Sequence, residues 1–505
     1  MSWSTSAEQV SQGGSATLIP APVRSHTSSR PPNVLTIVLD CARAKSFARP
    51  DGGPVAHTPV LDGLARSGTR FSKAVAPSNW TIPSHMSIFT GDYPNVHGLR
   101  GFRRGLPERA TASTILAQRG YETALFTEMV HLVAGYGLER GFHHRFARSP
   151  GVTDDERTLA NRITRRLDVL YSPDVRRVLE RLPPLVFALN AMNHPMEVAF
   201  KRQVCGPWIV RDFERWIEHR PRERPFFATF NLVDAHEPYD LHGGESVDVG
   251  PFARWYARTP RYYLLAVPGL RERVPWPQLH RSYLRAIETA DAKIGRIVRA
   301  LQIAAEYDRT MVVITSDHGQ SFGEGGNVFH GCGSTDSITR VPLVVRPPTD
   351  LRGPPGVDEW TSLCEMVRWI QAASEGRPPF EDGGPAYHAR ASAPVFCEGA
   401  PASDPNRSLL GIRTEAPWNH RQLAAYQGRE KFVLDLVTGE IRRWEETGED
   451  VDARPGDRWT GRDAAELRAA IFEPYEAAEA TRPTAPPPGP LEEGIDARLR
   501  SWGYD

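Results

Sequence analysis

Three acids stand where apolar runs stop. The run NVLTIVL ends at Leu39 and is followed by Asp40; RTMVVITS is followed by Asp317 and His318; PFFATFNLV is followed by Asp234, with His236 two residues on. Hard carboxylates and imidazoles that converge from separate strand ends make a divalent-cation site. Each acid alone has a competing reading, a helix cap or a turn residue. Several together, trailed by Gly, His or Pro, favour the cation. A hydroxyl completes the set. In APSNWTIPSHMSIFTG (76–91), Pro83 suits the first turn of a helix, which places Thr81 at the helix N-terminus. Free N–H groups and the positive end of the helix dipole lie there. A metal-bound hydroxyl at that point becomes an alkoxide able to attack phosphorus or sulfur. The competing reading makes Thr81 a simple N-cap.

These groups need a sheet to hold them. Continuous apolar runs at 33–40, 121–127, 225–234, 309–317 and 341–348 read as strands covered on both faces. Helix patterns lie between them at 58–68, 113–120 and 280–306. The alternation predicts an α/β fold with a mostly parallel sheet between helices, and sites at the carboxyl ends of strands. Residues 150–222 form an Arg-rich, helix-prone insert, read as solvated helix faces or as a substrate lid. Beyond about 350, LLGIRTE, RQLAAYQGREKFVLDL and GEIRRW predict a small antiparallel sheet joined by Gly-bearing turns. The expected organisation is a disordered 1–31, a catalytic core over 32–350, a C-terminal subdomain over 351–475, and a Pro-rich linker and tail over 476–505.

Composition sets limits. The 505 residues carry 61 basic and 61 acidic side chains, so the basic footprint of a nucleic-acid binder is missing. Five scattered cysteines with no CxxC argue against a disulfide framework and favour a reduced compartment. The N-terminus shows no secretory signal, and no apolar stretch approaches the ~20 residues of a membrane helix. A soluble cytoplasmic protein acting on a small molecule, with neither nucleic-acid nor membrane partner, is the expectation.

Asp40 with Arg43, TPVLDGLARSGTRF, WTIPSHMSIFTGDYPNVHG, GYETALF, HEPY, SDHGQSFGE and FHG…RVPLVVRPP follow one another in a familiar order and spacing. Over about residues 33–348 the chain resembles the sulfatase branch of the alkaline phosphatase superfamily. The GIRTE…GREKFVLDL…TGEIRRW stretch is similar to that family's C-terminal subdomain. The resemblance implies an alkaline-phosphatase-like mixed, mostly parallel sheet between helices. It implies one divalent metal held by Asp40, Thr81, Asp317 and His318, with Thr81 at the nucleophile position. His236 and His330 match residues that hold the transferred group or protonate the leaving group. Arg43, Arg100 and His85 are the expected substrate-binding residues.

The chain departs from the pattern in places that matter. Sulfatases carry C-x-P-S-R, whose Cys is oxidised to formylglycine; here the segment is Thr81-Ile82-Pro83-Ser84-His85. Thr81 forms no aldehyde, so a covalent adduct on it must be released by a second attack at the heteroatom, which phosphorus tolerates. Cys41 stands where a second Asp is usual, and His318 replaces an Asn. These exchanges move the site away from calcium towards manganese, zinc or iron, with manganese first and magnesium or calcium as further alternatives. Gln320 and Gly325 replace a Glu and a His, and Phe102 a polar residue. The reading is a metal-dependent hydrolase of a phosphodiester or phosphonate monoester, acting through a covalent Thr81 intermediate. The alternatives are hydrolysis of a sulfate or sulfamate ester, phosphoryl or sulfuryl transfer to an acceptor, and a non-catalytic anion-binding protein. A two-metal phosphomutase would need further ligands, for which Asp291 and His330 are candidates. Substrate identity and oligomeric state are not legible.

Overall fold

The computed structural model describes residues 30–47, 53, 55–100, 109–133, 136–147, 205–237, 239, 274–324, 327–331, 333–351, 353–380, 393–399, 420–445, 457–459 and 461–479. Expectations for 1–29, for 150–204 of the insert, for the GIRTE strand and for the tail beyond 479 lie outside the described residues. Three long apolar runs become the central strands β1 (Asn33–Leu39), β5 (Phe226–Leu232) and β6 (Thr310–Thr315), each buried along its whole length. They pair in parallel, and the register puts Leu39 opposite Leu232 and Val38 opposite Thr315. Their carboxyl ends are therefore level, which is what brings Asp40, His236 and Asp317 to one edge.

The other strands extend this sheet on both sides. They are β2 (Thr69–Val75), β3 (Glu122–Thr127), β4 (His144–Ala147), β9 (Leu343–Arg346) and β10 (Gly356–Ser362), in the order β10-β2-β9-β6-β1-β5-β3-β4. Only β9 runs antiparallel to its neighbours, which makes the sheet mixed and mostly parallel, as expected. The expected boundary near 350 does not end this sheet, since β10 lies beyond it and pairs with β2.

Side chains alternate between two cores. On one face Leu35, Ile37, Phe126, Phe230 and Ile314 pack with helices α1 (Pro59–Arg66), α5 (Trp208–His219) and α6 (Trp276–Ile303). On the other, Val34, Leu125, Phe227 and Val313 pack with α2 (Thr81–Thr90), α4 (Ala112–Gln118) and α8 (Met366–Ser374). Two short helices complete the chain order, α3 (Pro94–His97) and α7 (Asp336–Thr339). α5 is the described part of the Arg-rich insert. It is not a solvated helix on all sides: Phe213 and Trp216 pack edge-on to Phe126 of β3.

The C-terminal strands β11 (Val395–Gly399), β12 (Gln422–Gln427), β13 (Glu430–Asp435), β14 (Ile441–Glu445) and β15 (Asp457–Trp459) make the small antiparallel sheet. The β12–β13 turn uses Gly428 at φ 58°, the left-handed region open to glycine. A helical segment over 461–479 covers this sheet with Ile471, Phe472 and Tyr475. Among the described residues, no helix is long and apolar enough to cross a membrane.

Candidate active site

The chain leaves β1 through a tight turn. Asp40 donates its N–H to Leu232 O at 2.8 Å, still in the ladder direction. Cys41 then takes φ 66°, a left-handed conformation uncommon for a residue with a Cβ. Three bonds fix that turn. Cys41 N–H donates to Asp317 Oδ1 (3.3 Å), Ala42 N–H to Ser316 Oγ (2.8 Å), and the Tyr283 hydroxyl of α6 to Cys41 O (2.8 Å).

Asp317 Oδ1 also accepts His318 N–H at 2.9 Å. Two amides thus orient the carboxylate and leave Oδ2 buried with no hydrogen-bond partner; Asp40 Oδ2 is in the same condition. His318 Nδ1 lies 3.0 Å from Gly319 O, which assigns the hydrogen to Nδ1 and a lone pair to Nε2. That Nε2 is 3.5 Å from Asp317 Oδ2, 3.8 Å from Asp40 Oδ1 and 3.2 Å from Thr81 Oγ1.

Four donors from three chain segments therefore face one another in a buried space. Burial pushes Asp317 up to about 7, and burial with the nearby Asp317 charge pushes Asp40 up to about 6. Burial also lowers His318. Unpartnered carboxylate oxygens beside an imidazole lone pair need a positive charge between them. Two carboxylates, one imidazole and one hydroxyl fit a divalent cation.

Thr81 is the first residue of α2, and Trp80 is the N-cap. The simple-cap reading of Thr81 therefore fails: the hydroxyl meets His318. α2 is anchored behind the cluster, where Ser84 Oγ donates to Asp317 O at 2.5 Å.

The expected substrate contacts are placed differently. His85 is fully buried and neutral, since burial lowers it to about 4. Its Nδ1 donates to Thr81 O at 2.9 Å and its Nε2 accepts from Asn231 Nδ2 at 3.4 Å, so it supports Thr81 from behind. Arg43 is 3% exposed and pairs with Glu324 at 2.5 Å. Arg100 lies between Glu398 and Glu479, each at 2.5 Å. Both guanidiniums already have carboxylate partners, and neither joins the cluster. Asp234 pairs with Lys293 at 2.9 Å, and Lys293 reaches Glu128 at 2.7 Å. Asp291 caps α1 through Val60 N–H (3.1 Å) and Leu61 N–H (2.9 Å), so it serves no second metal.

His330 and His236 do reach the site. The His330 ring stacks on His318 at 4.7 Å between centroids, and His236 meets His330 edge-on at 4.9 Å. The His236 side chain is 27% exposed, which marks the open side. Sequence reading missed Glu237, whose Oε2 accepts from Gln320 Nε2 at 2.8 Å. Its signal was present in HEPY, beside His236.

A family model described as Sulfatase matches residues 32–359, well over half of the chain. The chain belongs to the sulfatase family. Among curated members it is 27% identical to choline-sulfatase of Rhizobium meliloti over 348 residues, 63% of each chain. The first relatives it matches are spanned over 56–69% of their length. A putative sulfatase of Bacteroides thetaiotaomicron superposes with a TM-score of 0.62 at 15% identity, over 92% of this chain and 96% of that one. The phosphonate monoester hydrolase of Agrobacterium radiobacter gives 0.56 at 19%, over 89% and 96%. At these identities the two solved structures establish the fold. Within that family, this member brings the Thr81 hydroxyl to the buried carboxylate–imidazole cluster, in which the Cys41 thiol also lies, 3.1 Å from Asp40 Oδ1.

Proposed function

We propose that this sulfatase-family protein is a metal-dependent ester hydrolase that cleaves a phosphodiester or phosphonate monoester through a covalent Thr81 intermediate. The observation that carries this reading is the Thr81 hydroxyl, 3.2 Å from His318 Nε2 and beside the unpartnered oxygens of Asp40 and Asp317. Asp40, Asp317, His318 and Thr81 would hold the cation, which when bound supplies Lewis-acid charge and lowers the pKa of the hydroxyl. Manganese, zinc and iron suit this donor set better than calcium.

The chain's own residues do the rest. Thr81 Oγ forms a bond to phosphorus as the bond to the leaving alcohol breaks. His236 or His330, on the open side, gives the departing oxygen a proton. Water then gives a proton to the imidazole left neutral by that transfer and attacks phosphorus, and the departing Thr81 oxygen regains the proton it had released to solvent on attack. His85 and Ser84 hold the first turn of α2 while this happens. A threonine ester has no adjacent hydroxyl to expel the group by collapse to an aldehyde, so release depends on that second attack. Phosphorus accommodates it with charge stabilisation on the equatorial oxygens. A phosphonate monoester hydrolase with the same fold is consistent with this chemistry.

The second reading is a sulfate ester, and it is favoured by the name of a relative, choline-sulfatase. One assay separates them. Metal-quantified protein, supplied with manganese, is offered an aryl phosphodiester, phosphomonoester, phosphonate monoester and sulfate, wild type beside Thr81→Ala. Preference for diester or phosphonate, lost in Thr81→Ala, supports the proposal; preference for sulfate replaces it with the second reading.

A further inference from the structure

Gln320 is one of the places where the chain departs from the family pattern, and it is completely buried. A short hairpin sets its position. Strands β7 (Ser321–Phe322) and β8 (Val328–Phe329) pair antiparallel with Ser321 opposite Phe329, so Gln320 takes the next rung, opposite His330. Arg43 ties the near end of the hairpin by donating to Gln320 O at 3.3 Å. At the far end Phe329 enters the left-handed region at φ 56° with its ring buried, and Gly331 follows at φ 74°. The turn that carries His330 is thus held on both sides, with the ring laid over His318.

The Gln320 amide has a determined orientation. Its Nε2 lies 2.8 Å from Glu237 Oε2 and also meets the Tyr239 hydroxyl. A carboxylate oxygen only accepts, so the NH2 group faces Glu237 and the amide oxygen faces His330. That oxygen is 2.8 Å from His330 Nδ1, which therefore carries a hydrogen. Cys41 Sγ lies 3.4 Å from the same nitrogen, but it donates its hydrogen to Asp40 Oδ1 at 3.1 Å and does not compete.

We infer that Gln320 is a positioning residue: it links the Glu237 carboxylate to His330 Nδ1, fixes the tautomer, and so makes His330 Nε2 the atom that protonates the leaving group. The inference rests on the ester-cleavage reading above for its reaction, and on neither the choice of ester nor the choice of metal. The cationic ring carries a hydrogen on each nitrogen. Nδ1 keeps its hydrogen on Gln320 Oε1 throughout. Nε2 gives its hydrogen to the oxygen whose bond to phosphorus, or to sulfur in the second reading, is breaking. The ring is left neutral in the tautomer that the network already holds, so no rearrangement accompanies the transfer. His236 is held differently: its Nδ1 meets the carbonyl oxygen of the next residue, Glu237, at 2.8 Å, and its side chain is partly open to solvent.

Only an amide meets both neighbours. Glu237 needs a donor and His330 Nδ1 an acceptor. A carboxylate at position 320 supplies acceptors alone and sets a second negative charge against Glu237; a hydrocarbon supplies neither. In the double variant Glu237→Gln/Gln320→Glu the amide and the carboxylate change places, and the chain of bonds to His330 is restored.

Two measurements on the full chain test the assignment. In protein labelled with heavy nitrogen at histidine, magnetic resonance is expected to show an imidazole Nδ1–H signal that disappears in both His330→Asn and Gln320→Leu. This readout needs no turnover, so it stands apart from the phosphoester reading, whose failure registers as sulfate preference in the wild type. The second measurement is a series of esters of the group that the wild type prefers, from para-nitrophenol to an alkyl alcohol. Gln320→Leu is expected to lose about a hundredfold in kcat on the alkyl ester and less than about fivefold on the para-nitrophenyl ester, with KM nearly unchanged. General damage to the fold lowers both alike. Gln320→Glu is expected to follow Gln320→Leu, and the double variant to recover about tenfold or more on the alkyl ester. The exchange pair keeps the test if Gln320→Leu does not fold. A missing Nδ1–H signal in the wild type, a signal unchanged in Gln320→Leu, or equal losses across the ester series overturns the inference. So does steep leaving-group dependence in His236→Asn with none in His330→Asn.

Discussion

Replacing Thr81 with serine and with alanine divides the site into its parts. Serine keeps the Oγ and loses one methyl of a side chain that is 6% exposed. Removing a buried methyl costs about 0.8 kcal/mol, and the freer χ1 of serine adds a few tenths. The total is about 1 kcal/mol of folding stability, read as a slightly lower Tm, while the Oγ and with it turnover are retained. Alanine removes the atom, 3.2 Å from His318 Nε2, that forms the covalent bond in the proposed mechanism. In a hydrolase that works through a nucleophile, such a loss costs roughly 10⁴–10⁶ in rate, up to about 8 kcal/mol. Both variants keep Asp40, Asp317 and His318, so metal content by elemental analysis stays near wild type. The assay is release of an aryl alcohol from a phosphodiester, paired with intact mass after acid quench. The wild type and Thr81→Ser show a phosphorylated species; Thr81→Ala does not. Thr81→Ala with more than about 1% of wild-type turnover refutes the nucleophile assignment, whatever substrate is preferred.

Asp317→Ala removes the carboxylate that both the Cys41 and His318 amides orient, and is expected to lose bound metal and turnover together. Gly319→Ala puts a methyl onto the carbonyl oxygen of Ser337. The peptide beside His318 must shift at a cost of about 1–3 kcal/mol, read as a lower Tm and at least a tenfold loss of kcat. Lys431→Met leaves Asp336 buried without its 2.7 Å ammonium partner and is expected to cost about 3–5 kcal/mol at neutral pH, measured by denaturant midpoint. Its pH dependence has a definite sign. Burial raises Asp336, but Lys431 and Arg340 outweigh it and hold the carboxyl at about 2, below its ordinary 3.8. The stability from this group is present above about pH 3.8 and is lost as the pH falls towards 2. In Lys431→Met the same acidification protonates a carboxyl with a raised pKa, so the acid loss disappears; an unchanged acid limb refutes the assignment.

The placement of the candidate site was legible where it followed the strand pattern. Asp40 and Asp317 end apolar runs whose parallel pairing makes their ends level, and Pro83 marked the helix that Thr81 opens. Less was legible where a partner lies far along the chain. Arg43 and Arg100 read as substrate-binding residues, but each has a carboxylate partner: Glu324 is 281 residues from the first and Glu479 is 379 from the second. No local pattern announces such pairs. Asp234 read as a ligand for the same reason, since its partner Lys293 lies 59 residues further along the chain. The strands β2 and β10 escaped because their runs TRFSKAV and GVDEWTS are only partly buried near one edge of the sheet, and mix polar with apolar residues. The β9 run is apolar enough for a central strand, but hydrophobicity carries no direction, and it pairs antiparallel.

The small C-terminal sheet is bonded directly to the segment that leads into the candidate site. The peptide that leads into Thr81 is held from two sides. On one, Glu398 N–H of β11 donates to Pro77 O at 2.9 Å, and Ser78 Oγ donates to Glu398 O at 3.0 Å. On the other, Gly331 N–H donates to Asn79 O at 2.9 Å, directly after His330, and Asn79 Nδ2 donates to Gly333 O at 3.1 Å. The approach to Thr81 is thus clamped between the second sheet and the loop that carries His330. The Glu398 carboxylate, buried within this contact, takes Arg100, Arg421 (2.9 Å) and the Tyr475 hydroxyl (2.9 Å). Breaking a buried charge network of this kind is expensive, since each group left behind is desolvated and unpaired. Arg100 is therefore a positioning residue: it ties the loop after α3, the strand β11 and the helical cover of the small sheet to the backbone two to four residues before Thr81.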